Sequence, residues 1–594
     1  MKRFMRLTVP LFSILLTWQS IAVAQVTVWA QDPWQNTNGG FTAPASSDTT
    51  SADWWHITML RNDMEPAMLG VMNTSNQALD ISVAIDTPAN FQNGSISLAV
   101  LGAIEAQEDT GLVNIFTPAQ VKSFGGAFPV HFRDTDKWKD FPTLHLPPGR
   151  PVRLWFRVST YQGFDSTHLT PAGTYPVHFT VRAANQTVIA QRTITIEVLG
   201  PALPLKMPVE VLTYGGYDET IDRIYHTSVK GSSTNRDGYK NFHYTNYLVN
   251  SGSGLWSGGL TKTTDLYNSN PAQFSQKIRS ALDSYYSRLE ADGWSAQQIL
   301  VEIYDEPGLS EVDGFNLIAA EIKRYKPEAK IVANPWEGDI RIYQGLNTYV
   351  DIWIPFALEY DKKAICDFLK STGKPLWFYS SWLGNDARNE GTLCAKFRSY
   401  GWRGVKYNLQ GVGFWAADGY YGPDMWNDFD GSWNDAAVVF PSSAGPIVTR
   451  EYEAWRETVE DIAMYKMIQH AHDNAKLPQN WIDTAGVWLQ TSVAQVLNAS
   501  SSNSLAIQSV RAKALTILSH LSSSATELVR GSHALRNNAA PALRRVIAGF
   551  SSGSLMSTAQ HHVIYDLKGQ QVLRQSSTGS RKAMGVYIVK TRGD

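Results

Sequence analysis

Two adjacent acids, Asp305 and Glu306, stand in the run Ile303-Tyr304-Asp305-Glu306-Pro307. The apolar stretch Ile299 to Tyr304 reads as a strand, and Pro307 forces the chain out of regular pairing. Neighbouring residues at a strand end point in different directions. The two carboxylates can therefore take separate roles on one substrate instead of sharing one proton. The competing reading is a solvated pair at the entrance to a loop. Glu337, Glu359 and Asp418 fall just beyond expected strand ends and could each supply an opposing second carboxylate. Tyr379 and Trp415 lie near expected strand ends and either wall the same site or pack in a core. Trp336 and His243 are further candidates for substrate contact, set against a structural reading.

The elements that must position these residues follow from hydrophobic period. Over residues 25–203 the period is two: Leu79, Ile81, Val83 and Ile85 alternate with polar or small residues, as do Val152, Leu154, Phe156 and Val158 with Arg153, Trp155 and Arg157. Short strands with turns at Pro147-Pro148-Gly149 and Pro171-Ala172-Gly173 predict an antiparallel β-sandwich, with Pro201-Ala202-Leu203-Pro204 as the linker. From 204 to 475 short apolar strands alternate with amphipathic helices such as the one carrying Phe274, Ile278, Leu282, Tyr285 and Leu289. That rhythm predicts a (β/α)8 TIM-like barrel, whose active sites are built at the C-terminal ends of its strands. Expected strands include Val209 to Thr213, Asn241 to Asn246, Ile299 to Tyr304, Lys330 to Ala333, Asp351 to Pro355, Pro375 to Tyr379 and Gly411 to Trp415. One more strand belongs within the Gly/Ser/Thr-rich stretch 248–270. A helix carries Tyr452, Trp455, Val459 and Ile462, a helical extension occupies 476–535, and residues 536–594 return to strands as a small β module. Arg450, Arg456 and Asp461 read as structural ion pairs, because a helix after the last strand lies outside the barrel.

Composition narrows the function classes. Net charge is −2 with scattered basic residues, so no footprint for nucleic acid or an anionic membrane surface is present. The two cysteines, Cys366 and Cys394, cannot make a disulfide framework and either pair or stand as buried thiols. No zinc-spaced ligand cluster, His-Glu-x-x-His motif or Gly-rich phosphate loop occurs, and no metal or cofactor is expected. Lys2, Arg3 and Arg6 precede an apolar run ending in Ala22-Val23-Ala24, the pattern of a signal peptide over residues 1–24. That run is broken by Thr17, Gln19 and Ser20 and falls short of the roughly 20 apolar residues of a membrane span. The expectation is an exported protein, secreted or at the surface of an outer-membrane-bearing cell. Its 20 tryptophans and 25 tyrosines suit stacking on sugars as well as core packing.

The block Ile303 to Pro307, then Trp377-Phe378-Tyr379-Ser380-Ser381-Trp382, Gly411-Val412-Gly413-Phe414-Trp415, and the spaced charges from Arg450 through Glu453, Arg456, Glu457 and Glu460 to Asp461 occur in an order that resembles glycoside hydrolase family 123 and its sister barrels. The Pro148-Gly149 to Gly173-Thr174-Tyr175 stretch resembles the sandwich that precedes the barrel there, so the resemblance spans residues 60 to 470. It implies an exo-acting, retaining β-N-acetylgalactosaminidase with substrate-assisted catalysis and a glycan or glycoconjugate substrate. Asp305 would polarise the 2-acetamido group, and Glu306 would serve as acid and then base. Asn241-Phe242-His243-Tyr244 departs from the family pattern, which leaves sugar identity less determined than reaction type. The tail, with Tyr565-Asp566-Leu567-Lys568-Gly569 and Gly585-Val586-Tyr587-Ile588-Val589-Lys590, resembles type IX secretion sorting domains and implies secretion machinery as a partner. Two rival functions stay open: a two-carboxylate glycosidase acting on a sugar without an acetamide, and a non-catalytic glycan-binding protein.

Overall fold

The computed structural model describes residues 26–34, 55–101, 104–105, 112–113, 144–149, 151–160, 168–214, 219–231, 244–249, 259–380, 390–417, 438–440, 447–448, 450–499, 504–521, 562–565, 571–574 and 588–591. The signal-peptide reading of residues 1–24, and the candidates His243 and Asp418, lie outside the described residues.

The main N-terminal strands are β1 (Val26–Gln31), β2 (His56–Arg61), β3 (Met64–Asn73), β4 (Leu79–Asp86), β5 (Ser95–Leu101), β6 (Leu144–Leu146), β7 (Pro151–Ser159), β8 (Gly173–Ala183) and β9 (Val188–Ala202). They form two sheets, ordered β1-β3-β7-β5 and β2-β9-β8-β4-β6. The inward residues of the period-two pattern meet between them, Leu69, Leu154 and Phe156 from one sheet against Val83, Phe179 and Ile196 from the other. Each such buried side chain contributes about 1.5–3 kcal/mol relative to exposure. Two expectations are corrected. The pairing of β2 with β9 is parallel, so the sandwich is not wholly antiparallel. The linker is also the end of a strand: β9 runs through Pro201 and Ala202, and Leu203 N–H donates to the Arg61 carbonyl at 2.8 Å.

The next strands are β10 (Glu210–Thr213), β11 (Val229–Gly231), β12 (Asn246–Val249), β13 (Ile299–Glu302), β14 (Lys330–Ala333), β15 (Ile352–Trp353) and β16 (Gly411–Phe414). They make one parallel sheet, curled so that β10 pairs with both β11 and β16. The two remaining edges, β15 and β16, both bond to residues 375–380. Trp377 N–H donates to Trp353 O at 2.7 Å on one side, and Phe378 and Ser380 N–H donate to Gly411 O and Gly413 O at 3.2 and 3.0 Å on the other. Alternate residues point inward, as a strand requires. Leu212, Val229, Leu248, Leu300, Val332, Ile352 and Trp377 form one apolar cluster.

The helices are α1 (Glu219–Ile224), α2 (Gly259–Ser269), α3 (Pro271–Ala291), α4 (Val312–Tyr325), α5 (Ile340–Leu346), α6 (Lys363–Ser371), α7 (Glu390–Tyr407), α8 (Arg450–Asp473), α9 (Gln479–Leu497) and α10 (Ser504–Leu518). Asn270 caps α3 by accepting from Gln273 N–H at 3.1 Å, with Pro271 at its first position, where the missing N–H costs nothing. Its buried stripe is Phe274, Ile278, Leu282, Tyr286 and Leu289, with Tyr286 in place of the expected Tyr285. Of the stretch 248–270 in which a strand is expected, β12 ends at Val249, α2 occupies 259–269, and residues 250–258 lie outside the described residues. The missed strand is β11, three residues with a single valine.

Helix α8 has no apolar stripe and is buried on every side from Arg450 to Met464, charges included. It packs on α7, α9 and α10, and the sandwich meets it through Arg157, whose guanidinium bonds Glu453. Arg153, Trp155 and Arg157, the polar alternates of β7, are thus buried and not solvated. In the tail, β17 (His562–Tyr565) pairs with β18 (Gln571–Arg574) and β19 (Ile588–Thr591). Cys366 and Cys394 are both buried thiols, and no disulfide joins them. No helix among the described residues is long and apolar enough to cross a membrane.

Candidate active site

The inward positions one step beyond the apolar layer carry polar groups. Two residues after Leu212 comes Tyr214, after Leu300 Glu302, after Val332 Asn334 and after Trp377 Tyr379. All four are buried, Glu302 and Asn334 at 1% exposure, and Tyr214 donates its hydroxyl to Glu302 Oε1 at 3.2 Å. This layer is the floor beneath Asp305 and Glu306. Asp305 is exposed and Glu306 half-buried.

The acids have different partners. Asp305 Oδ1 accepts from Asn334 Nδ2 at 2.7 Å, while Glu306 Oε1 accepts from the Tyr379 hydroxyl. Glu306 has φ +50°, the left-handed region that costs a non-glycine residue about 1–2 kcal/mol. Its N–H is held by Asn334 Oδ1 at 3.0 Å, so both ends of one buried amide are used within the acidic pair.

Burial raises the Glu306 pKa, the Tyr379 hydrogen bond opposes that, and the Asp305 charge raises it again. A half-buried carboxyl held up in this way keeps a proton to donate. Burial, followed by the Glu306 charge, pushes the Tyr379 phenol well above its ordinary range, so it serves as a donor.

Of the sequence candidates, Asp305, Glu306 and Tyr379 are brought together. Trp415 is half-buried and packs on the interior cluster that holds Tyr379, with its N–H donated to Ser380 O at 2.8 Å. Trp336 is 53% exposed, on the loop two residues past Asn334. Glu337, beside it, is exposed and comes so close to Gly308 that a Cβ there would meet its Oε1 at 2.9 Å. Glu359 is 2% exposed and bonded to Lys362 Nζ at 2.7 Å, which makes it a poor free nucleophile or base. Arg450, Arg456 and Asp461 are remote from this pair. Arg450 Nε bonds Pro33 O at 2.5 Å, while Arg456 and Asp461 take part in ion pairs of the domain junction. Tyr214, Glu302 and Asn334 were missed by sequence reasoning. Their signal was there, because each shares the parity of an apolar inward residue two positions earlier.

No family model matches the chain, and no curated relative matches it. Among solved structures it is similar to a family 123 glycoside hydrolase from Clostridium perfringens, with a TM-score of 0.50 and 10% identity over 86% of this chain and 99% of that one. Two others are a GH2 beta-galacturonidase from Eisenbergiella tayi (TM-score 0.29, 10% identity, 67% and 69% of the chains) and a beta-glucuronidase from Bacteroides uniformis (0.23, 8%, 60% and 44%). Those two superpose too poorly to carry an argument. The first covers nearly the whole of its counterpart, and in fold this chain is family 123-like.

Proposed function

We propose that this chain is a retaining, exo-acting glycoside hydrolase that releases a terminal β-linked 2-acetamido sugar, in the first instance N-acetylgalactosamine. The observation that carries the reading is the pair Asp305 and Glu306, two carboxylates one residue apart with separate partners. In this reading the curled sheet is a (β/α)8 barrel with residues 375–380 as its seventh strand in chain order, and the pair sits at its C-terminal mouth.

The reaction follows from the two carboxylates. Glu306 gives its proton to the glycosidic oxygen as that bond to the anomeric carbon breaks. The acetamide oxygen of the substrate attacks the anomeric carbon and forms an oxazolinium ring. Asp305 accepts the amide N–H and stabilises its growing positive charge. Glu306, now ionised, takes a proton from water, which opens the ring from the face the leaving group left, so the product keeps the β configuration. No protein nucleophile across the ring is required, an exception to two-carboxylate geometry. Tyr379 steadies Glu306 between its two roles, Trp415 walls the acetamide, and Trp336 and His243 contact the sugar.

The test pairs 4-nitrophenyl β-N-acetylgalactosaminide with the glucosaminide, adds a thiazoline mimic of the intermediate, and follows the first-formed anomer by NMR. Turnover of an acetamido glycoside, strong thiazoline inhibition and a β product are expected. A first-formed α product, a covalent adduct on Glu337, Glu359 or Asp418, or turnover confined to sugars lacking the acetamide would overturn the proposal.

A further inference from the structure

We infer that Asn334 is a positioning residue that keeps the roles of Asp305 and Glu306 apart, an inference that rests on the glycosidase reading above. The placement of Asn334 is fixed by its strand. Val332 points into the apolar interior, Asn334 has the same parity, and Pro335 follows. Ile354 N–H bonds Ala333 O at 2.8 Å and Phe356 N–H bonds Pro335 O at 3.2 Å, so the backbone on either side of Asn334 is tied to the next strand. The side chain, 1% exposed, cannot turn outward for other partners.

Its two ends do different things. Nδ2 donates to Asp305 Oδ1 at 2.7 Å, which fixes the carboxylate meant to receive the substrate amide and leaves its other oxygen for that purpose. Oδ1 accepts from the Glu306 N–H at 3.0 Å, which holds the left-handed turn at φ +50°. Without that acceptor the peptide relaxes toward ordinary φ, and Glu306 swings off the line to the glycosidic oxygen. An amide does both at once with no proton to lose, one end donating and the other accepting, whereas a carboxyl does so only while it is protonated. The groups facing the same spot, Tyr379, Tyr214 and Glu302, offer hydroxyls and a carboxylate, which could not replace the amide in this geometry.

The discriminating variant is Asn334→Asp, which keeps an oxygen toward the Glu306 N–H and sets another oxygen against Asp305. Like charge at that distance disfavours a second ionisation. Asn334→Asp is expected to lower kcat about 10²-fold on an acetamido glycoside with little change in KM, as misplacement of a reacting group does. The acid limb of its pH–rate profile is expected to move up by about one unit or more, because Asp305 must be ionised to work. Asn334→Ala, which loses both bonds, should lose as much kcat with a smaller shift of that limb, because it removes a neutral donor and adds no like charge. Unchanged kcat and pH profile in folded Asn334→Asp would overturn the inference while leaving the glycosidase reading intact. So would losses in every variant that merely track the folded fraction measured by circular dichroism. A wild-type chain that turns over no glycoside would instead remove the reading on which the inference rests, and the inference with it.

Discussion

At the mouth of the curled sheet Asp305 and Glu306 are met by an amide and a phenol. On α8, by contrast, Glu453, Glu457, Glu460 and Asp461 are met by guanidiniums. Arg456 bonds Glu457 and Glu460 at 2.9 and 2.6 Å, and Arg511 bonds Asp461 at 2.6 Å and Glu65 of the sandwich at 2.8 Å through Nε. Arg398 adds a bond to Asp461 at 3.1 Å, and Arg157 reaches Glu453 from β7. Both regions are rich in carboxylates. A guanidinium pulls a buried carboxylate toward its charged form against the cost of burial, whereas a neutral donor pulls less strongly and leaves the acid freer to exchange its proton. The first arrangement fastens sandwich, α8 and α10 together, and the second leaves an acid able to react.

The sharpest break in this comparison is Glu306→Gln. It should lower the rate about 10²- to 10⁴-fold on glycosides whose leaving group needs a proton, and much less on activated aryl glycosides. Its melting temperature should stay at the wild-type value, since no ion pair is lost. Equal losses on both substrate types would remove Glu306 from the role of acid.

Arg511→Met should do the reverse. Removing one partner from a buried pair leaves carboxylates without compensation and costs about 3–5 kcal/mol. Thermal unfolding of the full chain should begin well below the wild type, while kcat per folded molecule is unchanged at a temperature where the variant is folded. A wild-type melting curve would mean that the junction is held by its apolar contacts alone.

How far each region was legible differs for a physical reason. Asp305 and Glu306 could be read because a local pattern marks them, an apolar run followed by two acids and a proline. The fold class was equally local, since the two-residue and helical periods need no knowledge of distant partners. Asn334 was passed over despite sharing the parity of Val332, because Asn-Pro also reads as a turn and its meaning depends on a strand end 28 residues earlier. β11 was passed over because Val229-Lys230-Gly231 is too short to show a period, and the register shift that followed put the second strand at 241–246. Arg450, Arg456 and Asp461 were read as structural, which the ion pairs of Arg456 and Asp461 match. Their depth was not foreseen, because a helix with charges all round looks solvated until the sandwich and α10 are known to cover it.

The junction should also show itself in the pH dependence of stability. Burial, the largest cause, pushes Glu65 well above its ordinary value and Asp63 up to about 8, against the pull of Arg511. The native state then holds protons that the unfolded state has released, so stability falls as pH rises from the unfolded carboxylate range toward the native values. His226 acts oppositely: burial lowers it to about 3, so its contribution rises with pH and is complete above its ordinary 6.5. Among these groups, the carboxylates set the slope between pH 6.5 and 8. Wild-type stability should decline there, and Glu65→Gln should flatten the decline by on the order of 1 kcal/mol. Parallel curves for the two proteins would show that Glu65 is ionised throughout.

The smallest expected effect tests the neutral donor at the mouth. The Tyr379 hydroxyl bonds the ionised form of Glu306 and so holds its pKa below what burial and Asp305 would otherwise set. Tyr379→Phe removes that bond and little volume, so Glu306 should keep its proton to higher pH. A general acid works protonated, and its loss of activity on the alkaline side follows its ionisation. The basic limb of kcat/KM should therefore move upward by about half a unit to one unit, with a melting temperature near that of the wild type. The second half-reaction needs Glu306 ionised, so kcat at low pH should fall in the same variant. If instead the basic limb stays in place and the variant only melts earlier, Tyr379 is a packing residue whose hydroxyl is incidental. The contrast between a neutral donor that tunes an acid and a guanidinium that fastens a junction would then fail at the mouth.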